Sequence, residues 1–233
     1  MGLNGGELIC REYHFDRGAS ISEFTSATNG TGAISYTANT TKGVELQVTA
    51  AADRAFLHWN GRLGFDIDDL DFIEFLFRIE GWHANTDAVL GLGSAFNVDP
   101  DAIQESAWFR IGGSTEGRKV YLETDDNVTN SDDIYSGYTL ADNSWNRARI
   151  AFGTGIQSIG PPSASKGGKS SLQFTLTDAN GYTRHCRVNQ HMDMSGYSAG
   201  LQPIFGMRQV TNAAGAAVKL YVKKIEIGFK SPV

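Results

Sequence analysis

Aromatic and charged side chains recur at alternating positions in three short segments of this chain. Trp108 precedes Arg110 by two residues, and Tyr121 precedes Glu123 in the same way. Alternating residues of a β-strand share one face, so each pair is predicted to present a ring and a charged group together. Such faces suit stacking on sugar rings and bidentate hydrogen bonding. The full candidate binding set is Trp108, Arg110, Tyr121, Glu123, Trp145, Arg147 and Arg149.

Two other interpretations of this candidate binding set stay open. Tryptophan, tyrosine and arginine are also enriched at protein interfaces. An ordinary amphipathic strand face would show the same alternation. The sequence therefore predicts a binding surface for a glycan or a protein partner. The third interpretation is an ordinary solvent-exposed strand face that binds nothing.

A group of aspartates raises the question of a metal site. Asp66, Asp68 and Asp71 are close together in the sequence, and calcium needs six or more oxygen ligands converging on one point. The first two begin like an EF-hand loop, but the later glycine and the terminal glutamate are missing. Solvated acids in a turn are the alternative. Calcium at these three residues is the metal hypothesis, and no other cofactor is predicted.

The elements that must position these residues are predicted to be strands. In residues 72–79, the alternation places Ile73, Phe75, Phe77 and Ile79 on one face. The other face mixes apolar and charged residues, which predicts a central strand with a partly covered outer face. About a dozen such segments, separated by turn residues, predict an all-β, antiparallel two-sheet β-sandwich or jelly roll.

The last predicted strand, residues 217–229, changes its parity. Its apolar residues occupy even positions up to Val222 and odd positions from Ile225 onward. A regular strand cannot keep both sets on one face, but one extra residue restores the register. We therefore predict a β-bulge at Lys223-Lys224.

Three features interrupt or bound the strand pattern. Asp99–Ser106 is predicted to form one short helix, with Asp99 as its N-cap. Residues 153–170 are predicted to form a long projecting loop. The length suits one domain over residues 1–233.

The order of these elements resembles the concanavalin A-like lectin/glucanase superfamily, over most of the chain from about Val44 onward. The resemblance implies two curved antiparallel sheets, with glycans often bound on the concave one. The superfamily includes lectins, glycoside hydrolases, carbohydrate-binding modules and structural domains of bacteriophage particles. The segments that carry the resemblance are Asp71–Ile79, Val89-Leu-Gly-Leu-Gly-Ser, the strand beginning at Trp145, the Gly181 hairpin within Leu172–Val188, and the closing pair from Leu201-Gln-Pro-Ile-Phe to Leu220-Tyr-Val-Lys-Lys-Ile-Glu-Ile.

Glucanases of this superfamily carry their carboxylates on one strand in a Glu-x-Asp-x-x-Glu pattern. Glycoside hydrolysis needs two such carboxylates facing one cleft. Glu74 with Glu80 is the nearest candidate, but Leu76 stands where the pattern needs aspartate. Glu74 is better interpreted as the partner of Arg78 in an ion pair on the outer face. No catalytic residue is therefore predicted, and the chain is predicted not to be an enzyme.

Composition argues against several partners. The formal net charge is −6 and no Lys/Arg cluster occurs, which disfavours nucleic acid. No apolar run approaches the roughly 20 residues of a membrane span. The N-terminus lacks the features of a signal peptide.

Cys10 and Cys186 are predicted to be free buried thiols, with a bridge between them as the alternative.

These observations support three hypotheses of function. The first is a non-enzymatic virion protein of a bacteriophage, such as a capsid decoration, assembled in the host cytoplasm. Its partners would be copies of itself or other virion proteins. The alternative is a lectin-like carbohydrate-binding module, and a glycoside hydrolase is the third.

Overall fold

A computed structural model describes most of the chain, namely residues 9–36, 41–59, 64–65, 69–97, 99–127, 130–152, 169–193, 200–211 and 216–230. Across these residues the chain forms fifteen strands and three short 3₁₀ turns. The strands are β1 Ile9–His14, β2 Thr25–Asn29, β3 Ala33–Tyr36, β4 Val44–Val48, β5 Arg54–His58, β6 Leu70–Glu80, β7 Thr86–Gly93, β8 Glu105–Ile111, β9 Lys119–Asp126, β10 Asn130–Thr139, β11 Asn146–Phe152, β12 Lys169–Thr177, β13 Thr183–Asp193, β14 Gln202–Gln209 and β15 Val218–Phe229.

The strands form two antiparallel sheets. The eight-stranded sheet has the order β13-β12-β11-β6-β15-β4-β3, and β1 also pairs with β15. The seven-stranded sheet has the order β10-β9-β8-β7-β14-β5-β2. This architecture confirms the predicted antiparallel two-sheet sandwich. The assignment of residues 1–233 to one domain stays a prediction.

The core lies between the sheets and includes aromatic pairs that cross it. Phe75 of β6 lies 6.0 Å from Phe205 of β14, and Phe109 of β8 lies 5.1 Å from Phe174 of β12, both between ring centroids. All four rings are fully buried. Edge-to-face and tilted rings at such distances add to the burial of apolar area. These contacts hold the inner faces together and leave the outer faces free for other roles.

Strand β6 is central, as its alternation predicts. It lies between β11 and β15, and its odd-numbered apolar residues from Ile73 to Ile79 are buried in the core. The predicted ion pair of Glu74 with Arg78 is wrong. Glu74 pairs instead with Arg147 and Arg149 of the neighbouring strand β11. Residues four apart on a strand are separated by about 13 Å, whereas cross-strand neighbours are adjacent.

The predicted bulge in β15 is confirmed. Val222 pairs with Phe77 and Lys224 pairs with Leu76, so Lys223 is the extra residue. The bulge brings both Val222 and Ile225 into the core despite their opposite parity.

Strands β2 and β10 were not predicted. The sequence of β2 is Thr-Ser-Ala-Thr-Asn, which carries no apolar alternation. Strand β10 pairs with β9 through two register shifts, and the residues at these shifts include Asp133 and Gly137, whose φ angles are 54° and 73°. Each shift breaks the two-residue period, so the pattern cannot be read from the sequence.

The predicted helix is wrong, and the predicted loop lies mostly outside the described residues. Asp99–Ser106 does not form a helix, because only Pro100–Ala102 make a 3₁₀ turn and β8 already begins at Glu105. Asp99 occupies the N-cap position without a capping side-chain hydrogen bond. Of the predicted loop, residues 153–168 lie outside the described part, and Lys169 already begins β12.

Both cysteines are free, so the alternative of a bridge is not realised. They lie on β1 and β13, on opposite sides of the eight-stranded sheet. Cys10 is exposed and Cys186 is partly buried, so the expectation of two buried thiols is wrong. Cys10 pairs with Gly228, whose neighbour Ile227 enters the core, so the Cys10 thiol lies on the outer face of the sheet.

Candidate functional site

The structure divides the predicted binding set between the two sheets. Trp108 and Arg110 lie on β8, and Tyr121 and Glu123 lie beside them on β9 of the seven-stranded sheet. All four side chains belong to the outer face, because their neighbours in the strands enter the core. The other three residues belong to the outer face of the eight-stranded sheet. The seven predicted residues therefore do not form one surface.

Glu123 organises the four residues on β8 and β9. Its Oε2 accepts a 2.7 Å hydrogen bond from Nε1 of Trp108, and its Oε1 accepts a 2.6 Å bond from Nε of Arg110. The Arg110 guanidinium also lies 4.4 Å from the ring centroid of Tyr121. Glu123 is 5% exposed, so these contacts replace water around a buried carboxylate.

Arg110 is surrounded by further carboxylates. Its Nη1 lies 3.6 Å from Asp87 and 3.2 Å from Glu116, and its Nη2 donates to Asp133. The Arg110 side chain is 11% exposed. A planar guanidinium with five donors suits several carboxylates at once.

A second arginine extends this network across the sheet. Nε of Arg208 on β14 lies 3.3 Å from Asp87, which also faces Arg110. The remaining nitrogens of Arg208 contact Asp99 at 2.5 Å and Asp101 at 3.3 Å. We call the two arginines and their six carboxylate partners the arginine network. Its members are Arg110, Arg208, Asp87, Asp99, Asp101, Glu116, Glu123 and Asp133.

Burial raises the pKa of several acids on this face. Desolvation raises the pKa of Glu123 to about 7, against the lowering effect of Trp108 and Arg110. Desolvation also raises the pKa of Asp125 and of Asp132, and each is raised further by nearby aspartates. The pKa of Asp87 is raised by burial, although both arginines oppose the shift. Each of these shifts favours the uncharged form of the carboxyl group.

A small cleft opens beside Glu123. Its water-accessible volume is about 10 Å³, which is room for about one water molecule. We call it the acidic cleft. Its lining residues are Pro100, Asp101, Ile103, Ser106, Trp108, Glu123, Asp125, Asn130 and Asp132.

One wall of the acidic cleft belongs to the connection between β7 and β8, residues 94–104, which we call the cover loop. Within its described residues, 94–97 and 99–104, Ile103 is 3% exposed and packs in an apolar cluster on the outer face of the sheet. The ring of Phe96 stacks on His58 of β5, with centroids 4.1 Å apart and planes 6° apart. The cover loop therefore lies over the middle of the seven-stranded sheet.

An exposed aromatic pair adjoins the arginine network on its other side. Tyr121 of β9 and Tyr135 of β10 have centroids 6.0 Å apart, and Tyr135 is 46% exposed. Nζ of Lys119 lies 5.4 Å from the Tyr135 centroid. We call Tyr121 and Tyr135 the tyrosine pair. An exposed ring next to fixed polar groups can stack against the apolar face of a ligand ring.

The remaining predicted residues form a ladder of ion pairs on the eight-stranded sheet. Nη1 of Arg147 lies 3.1 Å from Glu74, and Arg149 lies 3.9 Å from the same carboxylate and over the Phe72 ring. Trp145 lies 5.2 Å from the Arg78 guanidinium. We call Glu74, Arg147 and Arg149 the charge ladder. Its arginines are 57% and 37% exposed, which is typical of a solvated sheet face.

The calcium hypothesis gains no support from the described residues. Asp66 and Asp68 lie outside them, and Asp71 is in β6. No group of three or more histidine, cysteine, aspartate or glutamate side chains in the described part of the chain could hold a metal ion.

The acidic cleft contains residues that the sequence reasoning missed. Asp125 follows Glu123 by two residues, so Glu123-x-Asp125 repeats the first two positions of the Glu-x-Asp-x-x-Glu pattern. This signal is present in the sequence of β9, whereas the prediction of no catalytic residue rests on Glu74 of β6. The third position is Val128, which departs from the pattern. Asn130 and Asp132 carried no signal, because β10 itself was not predicted.

Comparison with known proteins shows the fold. No protein-family model and no curated protein sequence matches the chain. Among solved structures, peanut lectin matches with a TM-score of 0.57 and 10% identity, over 97% of this chain and 99% of that chain. The lectin from Bauhinia forficata in complex with GalNAc matches with a TM-score of 0.56 and 12% identity, over 97% and 99%. Crh5 transglycosylase in complex with NAG matches with a TM-score of 0.58 and 12% identity, over 94% and 83%.

These similarities place the chain in the concanavalin A-like fold of lectins and related enzymes. Identities of 10–12% show the fold alone. Within the described residues, no helix is long and apolar enough to cross a membrane.

Proposed function

We propose that the protein is a carbohydrate-binding β-sandwich that holds a glycan on the outer face of the seven-stranded sheet. The proposed site joins the acidic cleft to the tyrosine pair. The observation that carries the proposal is the buried Trp108–Glu123–Arg110 unit, which lies between the polar cleft and an exposed aromatic ring. Lectins among the structures of similar fold support the same reading.

The chemistry of the site suits sugar hydroxyls. The arginine network sets two cations against six carboxylates, so acceptor oxygens exceed cationic partners. Asp125, Asn130 and Asp132 add further polar groups along the cleft. Hydroxyl groups donate to carboxylates, and an aromatic ring covers the C–H face of a sugar. Because the arginines hold the carboxylates in place, the polar groups are ordered before a ligand arrives.

The same arrangement favours binding over catalysis. Both oxygens of Glu123 are already hydrogen-bonded, at 2.7 Å and 2.6 Å. A general acid or a nucleophile must instead reach the glycosidic bond. The Glu123 carboxylate is therefore assigned to positioning Trp108 and Arg110.

The test is a glycan array followed by calorimetric titration of the best glycan. Tyr135→Ala is expected to weaken binding about 2–13-fold, because stacking contributes about 0.5–1.5 kcal/mol. Arg147→Ala, on the opposite outer face, is the matched control and should leave the affinity unchanged. Equal weakening by both variants, or an array without binding, would contradict the proposal.

A transglycosylase or glycoside hydrolase is the second candidate. It is favoured by the Glu123-x-Asp125 spacing on β9, by the raised pKa of both carboxyl groups and by the similarity to Crh5 transglycosylase. Incubation with N-acetylglucosamine and glucose oligomers, followed by mass spectrometry, tests it. New chain lengths that disappear in Asp125→Asn would support catalysis, and unchanged oligomers would exclude it for these sugars.

The role in a bacteriophage particle stays a prediction from the sequence, as do capsid or self-association partners and a virion location. A glycan-binding surface is compatible with it, since particle proteins can adsorb to sugars. Light scattering at increasing protein concentration tests self-association. A symmetric oligomer would favour an assembled particle, and a monomer at all concentrations would disfavour it.

A further inference from the structure

The middle of the outer face of the seven-stranded sheet is built as an apolar trough. Its floor contains outward-facing glycines of β7 and β14. A Cβ atom on Gly91 would lie 2.5 Å from Cβ of Trp108, and one on Gly206 would lie 2.4 Å from the Phe56 ring. No side chain fits at these two glycines. The aromatic side chains of the neighbouring strands therefore lie close to the glycine backbone.

The cover loop fills this trough. Ile103 belongs to one buried apolar cluster with Phe56, Trp108 and Ile204, and the Phe96 ring covers His58. Phe96 is only partly buried, and residues 95, 97, 99, 101, 102 and 104 are exposed. The cover loop is therefore a single thin layer, and its side chains Phe96 and Ile103 cover aromatic side chains of the sheet.

The ends of the cover loop are joined by buried hydrogen bonds, while the ion pairs in its middle end on exposed carboxylates. At the base, the amide of Ser94 donates to the Glu105 carbonyl at 2.9 Å, and its hydroxyl donates to the Glu105 carboxylate at 2.7 Å. In the middle, Arg208 contacts Asp99 and Asp101, whose side chains are 55% and 63% exposed. Exposed ion pairs of this kind contribute little and are screened by salt.

The backbone of the cover loop is largely self-contained. Ala102 N–H donates to Asp99 C=O, and Ile103 N–H donates to Pro100 C=O. Both bonds lie inside the loop, so the loop can lift and its turn can unwind without breaking a strand pairing. Low-stability openings are drawn from segments of this kind.

We propose that the cover loop is a displaceable cover, and that lifting it extends the acidic cleft into a trough for several sugar units of one glycan chain. This inference rests on the proposed function for its ligand, but not for the movement of the loop. In the closed form, Phe96 and Ile103 compete with the glycan for the trough. A single terminal sugar at the tyrosine pair needs no such movement.

The movement is tested without any ligand by hydrogen exchange. The amides of Ala102 and Ile103 are expected to exchange about 100-fold faster or more than those of β7, because the loop opens without global unfolding. Phe96→Ala should accelerate their exchange further and leave β7 unchanged. Gln104→Ala, an exposed change in the same loop, is the control. Exchange of the loop at the rate of β7 in every variant would overturn the proposal.

The ligand is tested with N-acetylglucosamine and its tetramer as probes. In Phe96→Ala, the affinity for the tetramer should rise about 5–10-fold while that for the single sugar stays constant, because a competing closed state is removed. Equal effects on both probes, or none on the tetramer, would overturn the trough. If neither probe binds while the loop still opens, the proposed sugar ligand fails and the movement stands.

Discussion

The two outer faces of this sandwich use the same residue types and differ in what surrounds them. On the eight-stranded sheet, Glu74 pairs with two arginines that are 57% and 37% exposed. On the seven-stranded sheet, Arg110 is 11% exposed and faces four carboxylates. The cover loop and the bulged strand β10 shield only the second face. The same alternation of aromatic and charged residues therefore yields a solvated ladder on one face and a buried network on the other.

The difference teaches that burial, more than residue type, makes a charged strand face a candidate site. In the charge ladder, water screens each ion pair, and the net contribution of each is small. Around Arg110, the arginine network is buried, and Arg110 and Glu123 depend on each other because desolvation costs several kcal/mol per ion. This buried part of the network is rigid and has acceptor oxygens in excess. Those properties suit an ordered binding site.

The largest expected difference concerns the removal of a buried cation. Arg110→Met should lower the free energy of unfolding by about 3–5 kcal/mol, because Glu123, Asp87 and Asp133 would lose their common partner. Arg147→Met on the charge ladder should lower it by about 1 kcal/mol or less. Urea unfolding of both variants measures the contrast. Similar losses in the two proteins would remove the distinction between the faces.

The second largest expected effect is a pH dependence of stability that comes from Glu123. Burial raises the pKa of Glu123 from 4.5 to about 7. Between these pH values the folded state binds a proton that the unfolded state lacks. The proton on Glu123 therefore stabilises the folded state most below pH 4.5. As the pH rises through 7, the free energy of unfolding falls by about 1–3 kcal/mol.

Glu123→Gln isolates this effect. The difference in unfolding free energy between the wild type and this variant should change between pH 5 and pH 8, with the wild type losing more stability as pH rises. Urea titrations at both values measure it. A constant difference across this range would mean that Glu123 does not titrate there.

The smallest expected effect concerns salt. Glu74→Gln should change stability by about 0.5 kcal/mol or less, and 0.5 M sodium chloride should remove most of that change. Thermal unfolding at low and high salt measures it. A large, salt-independent loss would show that the charge ladder is as strongly coupled as the arginine network.

Much of the fold could be predicted because its central strands are regular. Strand β6 alternates without interruption, and the change of parity after Val222 located the bulge in β15. Strands β2 and β10 could not be found, because one lacks apolar residues and the other is bulged twice. Periodicity detects a buried face only where the face is apolar and the register is continuous.

Four of the seven residues in the candidate binding set could be placed from the sequence. Trp108, Arg110, Tyr121 and Glu123 share a face because they alternate on neighbouring strands. Alternation gives the face of a strand but not the sheet to which the strand belongs, so Arg147 and its neighbours were grouped with them wrongly. Arg208 lies about 100 residues from Asp99 and Asp101, and only the pairing of β14 with β7 brings them together.

The location of the glycan is tested most directly by nuclear magnetic resonance of the labelled protein during titration with the best glycan of the array. Chemical-shift changes are expected at the amides of β8, β9, β10 and the cover loop, with Tyr135 among the largest. The amides of β6 and β11, beneath the charge ladder, should stay unchanged. Changes confined to β6 and β11, or no saturable change at all, would contradict a glycan site on the outer face of the seven-stranded sheet.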